Sequence, residues 1–156
     1  MIEFCKVLES DAVELTNVAM RAFKDDKVKY GSVPPGIDTK EQHLSYMKDA
    51  DYFKILKDNI IIGGIIVFND TKCNYILGSI FILPELQNRG IGKKAINFIE
   101  KNFPEAKKWS LDTPYLSFRN HHFYEKMGYI KVGEVFPDKD SDFCLFLYEK
   151  TIEDNI

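Results

Sequence analysis

The feature that most constrains the fold is a run of three β-rich segments. Tyr52–Lys57, Ile60–Phe68 and Asn74–Ile82 are rich in β-branched and aromatic residues. Asp58-Asn59 and residues 69–72, which separate them, have the composition of turns. Because connections this short join antiparallel neighbours, we predict three consecutive antiparallel strands.

A helix follows Pro84, since apolar residues now recur at helical spacing. Its apolar face comprises Ile91, Ala95, Phe98, Ile99 and Phe103, and Pro104 closes it. Trp109–Thr113 is then a short strand. Parallel strands need a long crossover, and this helix is the only connection that provides one. The Asn74 and Trp109 strands are therefore expected to be parallel.

The flanking segments complete the pattern. We predict a strand at Ile2–Leu8, a helix capped by Ser10 or Asp11, a second helix from a Thr39–Gln42 capping box to Asp49, a helix at Ser117–Met127 ended by Gly128, and strands at Tyr129–Val135 and Phe143–Glu149. The order βααβββαβαββ predicts a mixed α/β fold. Its sheet is largely antiparallel, with about seven strands and helices on both faces.

Composition narrows the class of protein. With 156 residues, 45% of them hydrophobic, and no repeats, we expect a single domain over residues 1–156. The net charge of -3 argues against nucleic acid as a partner. Residues 1–9 do not form a signal peptide and no apolar run is long enough to span a membrane, so we expect a cytoplasmic protein. Cys5, Cys73 and Cys144 have neither disulfide nor metal-site spacing, and no metal is expected.

The turn from Gln87 to Lys93, with the sequence QNRGIGK, joins the third strand to the helix. The first amides of a helix are unpaired and lie at the positive end of its dipole, which predicts an anion site. Gly90 and Gly92 would admit a phosphate, and Arg89 and Lys93 add positive charge. Alternatively, the glycines only permit a tight turn and a close contact between the helix and the sheet.

The turn differs from two known phosphate-binding motifs. A P-loop requires glycine at position 87, which is Gln87. A dinucleotide-binding GxGxxA pattern fits Gly90, Gly92 and Ala95, and Asp112 could bind the ribose. That motif starts at the strand end, whereas residues 83–89 intervene here. A dinucleotide-binding domain therefore remains the weaker alternative.

A second constellation lies downstream, where RNHHFYEKMGY spans Arg119–Tyr129. Together with QNRGIG at the helix start, it resembles the GNAT superfamily of N-acetyltransferases over about Ile60–Val135. The resemblance implies the GNAT fold, acetyl-CoA as co-substrate, and transfer of the acetyl group to a primary amine. Because no cysteine is paired with an activating histidine in the sequence, we expect direct transfer in a ternary complex. It also makes a homodimer reasonable.

The resemblance also implies the site residues. Backbone groups of Phe81 and Ile82 would pair with the pantetheine arm, and amides from Gln87 to Lys93 would hold the pyrophosphate. Asn120 would bond the pantetheine or sulfur end, and Tyr124 would stand beside the thioester sulfur as the acid. The full cofactor-binding set is Phe81, Ile82, Gln87, Asn88, Arg89, Gly90, Ile91, Gly92, Lys93, Asn120 and Tyr124.

The general base is less clear from the sequence. Many relatives carry a carboxylate on the strand before the turn, but residues 76–82 contain none. Asp112 is our candidate base, with a solvated or capping acid as the alternative role for it, and Glu85 is a weaker candidate. His121 and His122 are adjacent on a helix, so they face about 100° apart and cannot act on one target. His43 has no local support for a catalytic role.

The acceptor is the open part of the prediction. The loop Tyr30–Gly36 and the second helix are expected to select it, because loops on a rigid scaffold commonly carry specificity. Acidic residues near this loop either are solvated surface residues, which is the simpler explanation, or favour a cationic amine: Asp25, Asp26, Asp38 and Glu41. The missing strand carboxylate keeps a second alternative, an acyl-CoA sensor without turnover.

Overall fold

The computed structural model describes residues 1–30 and 36–153. Its elements follow the predicted order βααβββαβαββ. They are β1 (Ile2–Lys6), α1 (Ala12–Tyr30), α2 (Lys40–Asp49), β2 (Asp51–Lys57), β3 (Ile60–Thr71), β4 (Asn74–Ile82), α3 (Ile91–Asn102), β5 (Lys108–Pro114), α4 (Phe118–Lys126), β6 (Ile130–Val135) and β7 (Leu145–Thr151). Short 3₁₀ turns at Glu9–Asp11 and Pro84–Leu86 precede α1 and the glycine turn.

The seven strands form one sheet in the order β1-β2-β3-β4-β5-β7-β6. Within the described residues, β4 and β5 are the single parallel pair, and their connection runs through α3. This confirms the predicted mixed, largely antiparallel sheet and the predicted crossover. A dinucleotide-binding fold would instead require a mostly parallel sheet, so the sheet argues against that alternative.

The strands β4 and β5 part soon after they meet. They pair only from Asn74↔Lys108 to Ile76↔Ser110. Beyond this point β4 continues along β3 to Ile82, while β5 continues along β7 to Pro114. A gap therefore opens in the middle of the sheet.

A β-bulge lies where the two strands separate. Ile66 pairs with Ser79 and Val67 with Leu77, so Gly78 is an extra residue on β4. Bulges bend and twist the strand that contains them. The bulge at Gly78 is therefore a local cause for β4 turning away from β5.

The helices cover both faces of the sheet, as predicted. The ring of Phe81 on β4 contacts Phe23 of α1 and His43 of α2. The ring of Phe53 on β2 contacts Phe98 of α3. Because Phe81 and Phe53 lie opposite successive residues of β3, they point to opposite faces. Thus α1 and α2 cover one face and α3 the other.

Some element boundaries differ from those predicted. β1 ends at Lys6, and the Asp11 carboxylate accepts from the Leu8 amide at 2.8 Å instead of capping α1. β3 runs to Thr71, so the next turn is shorter than predicted, and Cys73 there has φ +68°. In each case backbone pairing or an early 3₁₀ turn overrides local composition. The Thr39 cap is confirmed, since its hydroxyl accepts from the Gln42 amide at 3.3 Å.

The tight turn that joins β2 to β3 has the backbone geometry that its Asp-Asn sequence favours. Asp58 and Asn59 have φ of +50° and +67°, which a two-residue type I′ turn requires.

Among the helices of residues 1–30 and 36–153, none is long and apolar enough to cross a membrane.

Candidate active site

A cleft of about 400 Å³ lies between α1, the end of β4, the glycine turn and α4. Nine of the predicted cofactor-binding residues line it: Phe81, Ile82, Gln87, Asn88, Gly90, Gly92, Lys93, Asn120 and Tyr124. Arg89 and Ile91 do not line it, and the Ile91 side chain is buried in the core. The structure therefore brings both halves of the predicted site to one cavity.

The glycine turn presents unpaired amides. In the described part of the chain, no amide of residues 88–93 donates to a backbone carbonyl. The Gln87 amide, by contrast, donates to the Pro84 carbonyl at 3.3 Å within the 3₁₀ turn. The available donors thus begin at Asn88, and they lie at the positive end of α3.

The two glycines of this turn serve different purposes. Gly90 caps α3 with φ +80°, and a Cβ added there would meet nothing within 4 Å. At Gly92, an added Cβ would lie 3.0 Å from Cζ of Phe123 on α4. Close packing, the alternative reading of the glycines, therefore explains Gly92, although its neighbour is α4 rather than the sheet. Gly90 provides the left-handed turn and borders free space.

The backbone of β4 faces the gap at alternate residues. Leu83 donates its amide to the Ile62 carbonyl at 2.9 Å, so its polar groups point to β3. Alternation then directs Phe81 to β3 as well, and Ile80 and Ile82 to the gap. In agreement, Nε2 of Gln87 donates to the Ile82 carbonyl at 3.1 Å from the gap side. Ile80 was missed by the sequence analysis, because a period of two groups it with Ile82 but does not show which alternating set faces the gap.

The predicted side chains on α4 meet β5 across the gap. Nδ2 of Asn120 donates to Oγ1 of Thr113 at 3.2 Å. Burial raises the pKa of Tyr124 well above its ordinary value, and the nearby Asp112 carboxylate raises it further. Asp112 is solvent-exposed, but partial desolvation of its carboxyl group by neighbouring atoms raises the Asp112 pKa as well. Asp112 does not line the cleft itself, but it lies close enough to Tyr124 for its negative charge to raise the Tyr124 pKa.

Comparison with known proteins fits this geometry. Residues 48–131, more than half of the chain, match the acetyltransferase (GNAT) domain family. The chain belongs to the GNAT acetyltransferase family.

Individual relatives show how far the similarity extends. The chain is 32% identical over 101 residues to the uncharacterized protein YrkN of Bacillus subtilis. This aligned segment covers 64% of this chain and 54% of that protein. The chain thus spans about half the length of this curated relative. The residues matched to the family, 48–131, include the strand and turn described above.

Solved structures share the fold over nearly the whole chain. The PaiA N-acetyltransferase of Thermoplasma acidophilum in complex with coenzyme A has a TM-score of 0.81 at 21% identity, covering 97% of this chain and 99% of that one. The ribosomal-protein-S18-alanine N-acetyltransferase of Escherichia coli gives 0.79 at 13%, covering 99% and 96%. A GNAT acetyltransferase of Elizabethkingia anophelis with acetyl-CoA bound gives 0.70 at 14%, covering 97% and 98%. These neighbours establish the GNAT fold.

Three charged residues that line the cleft were not among the predicted donor-binding residues, namely Asp26, Arg119 and Lys126. Of these, Asp26 was considered only for the acceptor side. Arg119 lines the cleft, and its Nη1 donates to Oε1 of Gln87. Asp26 of α1 also lines it; burial raises the Asp26 pKa, and the Arg119 charge opposes that rise. Asp26 lies one turn after Ala22 and Phe23, so helical spacing could have placed it beside them.

The histidines have structural environments. His43 is fully buried, with Nε2 2.6 Å from the Ile37 carbonyl and Nδ1 2.8 Å from the Tyr52 hydroxyl. Because a carbonyl only accepts, Nε2 carries the proton, and the Tyr52 hydroxyl donates to Nδ1. His121 contacts the Pro114 carbonyl through Nε2 at 3.0 Å, whereas His122 is exposed. None of the three lines the cleft.

Other candidates lie away from the cleft. Glu85 is exposed and pairs with Arg21 at 2.6 Å. Of the acidic residues considered for the acceptor, Asp26 lines the cleft, while Asp25, Asp38 and Glu41 are exposed elsewhere. Most of the predicted acceptor loop, residues 31–35, lies outside the described residues. Within the described residues, no cluster of three metal-binding side chains occurs.

Proposed function

We propose that this chain transfers an acetyl group from acetyl-CoA to a primary amine by direct attack in a ternary complex. One observation carries the proposal. Where β4 and β5 part, the free backbone groups of Ile80 and Ile82, the unpaired amides of residues 88–93 and the side chain of Tyr124 all border one cleft. A long thioester with a pyrophosphate at one end matches this arrangement.

The donor would bind mainly through backbone groups. The pantetheine arm carries amides that can extend the β4 edge in the manner of an added strand. The pyrophosphate would lie on the amides of residues 88–93, where the helix dipole favours an anion. Three cations line the cleft against one carboxylate, in a chain whose net charge is -3. Two of the GNAT neighbours were solved with coenzyme A or acetyl-CoA, which supports the same ligand here.

The acceptor amine must lose a proton to react. An alkylamine of pKa about 10.4 is neutral at pH 7 roughly once in 2,500 molecules, a cost of about 4.6 kcal/mol. Asp112, beside Tyr124 and with a raised pKa, is the proposed base, acting directly or through water. The amine nitrogen then forms a bond to the acetyl carbon, the carbon–sulfur bond breaks, and the sulfur leaves as a thiolate.

Tyr124 is the proposed donor to that sulfur. A thiolate of pKa about 8.5 is a weaker base than an ordinary phenolate, so full proton transfer from tyrosine costs about 2 kcal/mol. Since burial and Asp112 raise the Tyr124 pKa further, this cost increases. Tyr124 therefore stays protonated and stabilises the thiolate through a hydrogen bond, while solvent supplies the final proton.

The acceptor would approach from the α1–α2 side, because α3 and α4 lie against the donor. The edge strand β6 exposes Ile130, Val132 and Val135, which supports a homodimer through that edge. Three unpaired cysteines suit a reducing cytoplasm.

The test combines binding and turnover. Calorimetry should show micromolar binding of acetyl-CoA and none of NAD, and a panel of primary amines should include one that causes release of free thiol. Acetyl-CoA binding without thiol release from any amine would favour the sensor alternative, to which the lack of an acid on β4 lends support. Micromolar binding of NAD instead of acetyl-CoA would overturn the proposal.

A further inference from the structure

Arg119 occupies an unusual place for a cation. It is the second residue of α4, and the first turn of this helix contains no acidic residue. A positive charge at a helix N-terminus is disfavoured by the helix dipole. In the described residues, Arg119 forms no direct ion pair with a carboxylate, and Asp26 in the same cleft interacts with its charge only at longer range. Its charge is therefore available to an anion in the cleft.

Arg119 is held in position by the glycine turn. Its Nη1 donates to Oε1 of Gln87, and Nε2 of Gln87 donates to the Ile82 carbonyl at 3.1 Å. This chain of hydrogen bonds runs from the end of β4 to the start of α4. It holds the guanidinium in the same cleft that the unpaired amides of residues 88–93 border.

The guanidinium retains donors for a ligand. Arginine has five N–H groups in a planar fork, and here only one contact to Gln87 is made within the described side chains. The planar fork can bind two phosphate oxygens at once, which a lysine ammonium cannot do in the same way. Lys93 and Lys126 also line the cleft, but no hydrogen bond or ion pair fixes them within the described residues.

We propose that Arg119 binds the pyrophosphate of the donor from the α4 side, opposite the amides of residues 88–93. Gln87 is the positioning residue that orients the guanidinium. This inference rests on the proposed function, since it assigns one further contact to the same donor. It predicts that the cleft binds the pyrophosphate through a side chain as well as through backbone amides.

The test measures binding of three ligands by calorimetry: coenzyme A, dephospho-coenzyme A and pantetheine. R119Q should weaken binding of coenzyme A and of dephospho-coenzyme A by about 10- to 100-fold each, the range for hydrogen bonds to charged groups. Binding of pantetheine, which has no phosphate, should change less than about twofold. R119K should lie between R119Q and the wild type, because it keeps the charge but not the fork.

Arg21→Gln is the matched control, since Arg21 is an exposed arginine that pairs with Glu85 and does not line the cleft. It should bind all three ligands like the wild type. Gln87→Met should weaken coenzyme A binding several-fold in the wild type and add little to R119Q, because both changes act through one contact.

Each other outcome contradicts the inference. An equal loss for pantetheine would show that Arg119 only shapes the cleft. A loss restricted to coenzyme A would assign Arg119 to the 3′-phosphate, and unchanged binding in R119Q would show no contact at all. If the wild type binds none of the three ligands, the proposed function itself fails, which is distinguishable from a wild type that binds and an R119Q that binds equally well.

Discussion

The two walls of the cleft recognise their ligand by different means. The wall made of β4 and the glycine turn offers backbone groups, from Ile80, Ile82 and residues 88–93. The α4 wall offers side chains, from Arg119, Asn120 and Tyr124. The first wall depends on backbone shape and on glycine, so most side-chain changes there should matter little. The second depends on the identity of each side chain.

The walls touch where Gly92 of the turn meets Phe123 of α4. A Cβ at position 92 would lie 3.0 Å from the Phe123 ring, a distance at which the neighbour must shift. The spacing between the walls is therefore set by the absence of a side chain. This contact is the place where the two kinds of recognition depend on each other.

Gly92→Leu should have the largest effect, because it pushes the two walls apart. Overpacking costs about 1–3 kcal/mol, and we expect the upper end here since the whole leucine side chain must displace Phe123. Coenzyme A affinity, measured by calorimetry, should fall by about 100-fold or more, since a displaced ring changes the cleft.

Phe123→Ala tests the cause of that effect. Combined with Gly92→Leu it should restore part of the coenzyme A affinity, because the truncated side chain gives the leucine room. Strict additivity of the two changes would show that the contact does not set the spacing of the walls.

Tyr124→Phe should separate binding from chemistry on the α4 wall. Loss of the hydroxyl removes the hydrogen bond to the leaving sulfur, so we expect kcat to fall by about 10²-fold with little change in coenzyme A affinity. Single-turnover thiol release with the best amine acceptor is the measurement. An unchanged rate of the chemical step would remove Tyr124 from the catalytic role.

Asp112→Asn should have a smaller effect, of about tenfold in kcat/KM at pH 7, because solvent can also accept the proton. Burial raises the Asp112 pKa above its ordinary value of 3.8, so the carboxylate is lost as pH falls through that raised pKa. The ratio of wild-type to variant kcat/KM should therefore fall toward acid pH. Taking this ratio cancels the titration of the amine, and a ratio independent of pH would argue against Asp112 as the base.

The difference between the walls also explains what the sequence could reveal. The element order and the parallel crossover followed from periodicity and connection length, and the family from two motifs. The sequence did not show whether the backbone groups of Phe81 or of Ile80 face the gap, because both are apolar strand residues. Only the register of β4 against β3 shows which one faces the gap.

Contacts between distant segments were out of reach for a different reason. Asp26 and Arg119 are separated by most of the chain, and nothing in either local pattern indicates that α1 and α4 border one cleft. Gly92 is similar, since its need for glycine comes from Phe123, thirty-odd residues later. Local chemistry predicts local structure, whereas the partners across the cleft depend on the packing of the whole sheet.

His43 packs against Phe81 of β4, which belongs to the wall made of β4 and the glycine turn. The smallest predicted effect concerns the protonation of His43. The His43 ring lies 6.4 Å from the ring of Phe81 and hydrogen-bonds Ile37 and Tyr52. Burial lowers the His43 pKa below its ordinary value of 6.5, although the bond to the Ile37 carbonyl opposes this. The unfolded chain therefore binds this proton more readily than the folded chain does.

Protonation of His43 thus couples pH to stability. The free energy of unfolding should be unaffected by this group above pH 6.5 and should fall as pH drops below it, with a slope of at most about 1.4 kcal/mol per pH unit. Urea unfolding between pH 5 and 8 measures the slope, and His43→Gln should reduce it. His122→Gln, at the exposed histidine of α4, is the control and should leave the slope unchanged. Equal slopes in the wild type and His43→Gln would mean that protonation of His43 does not change the free energy of unfolding.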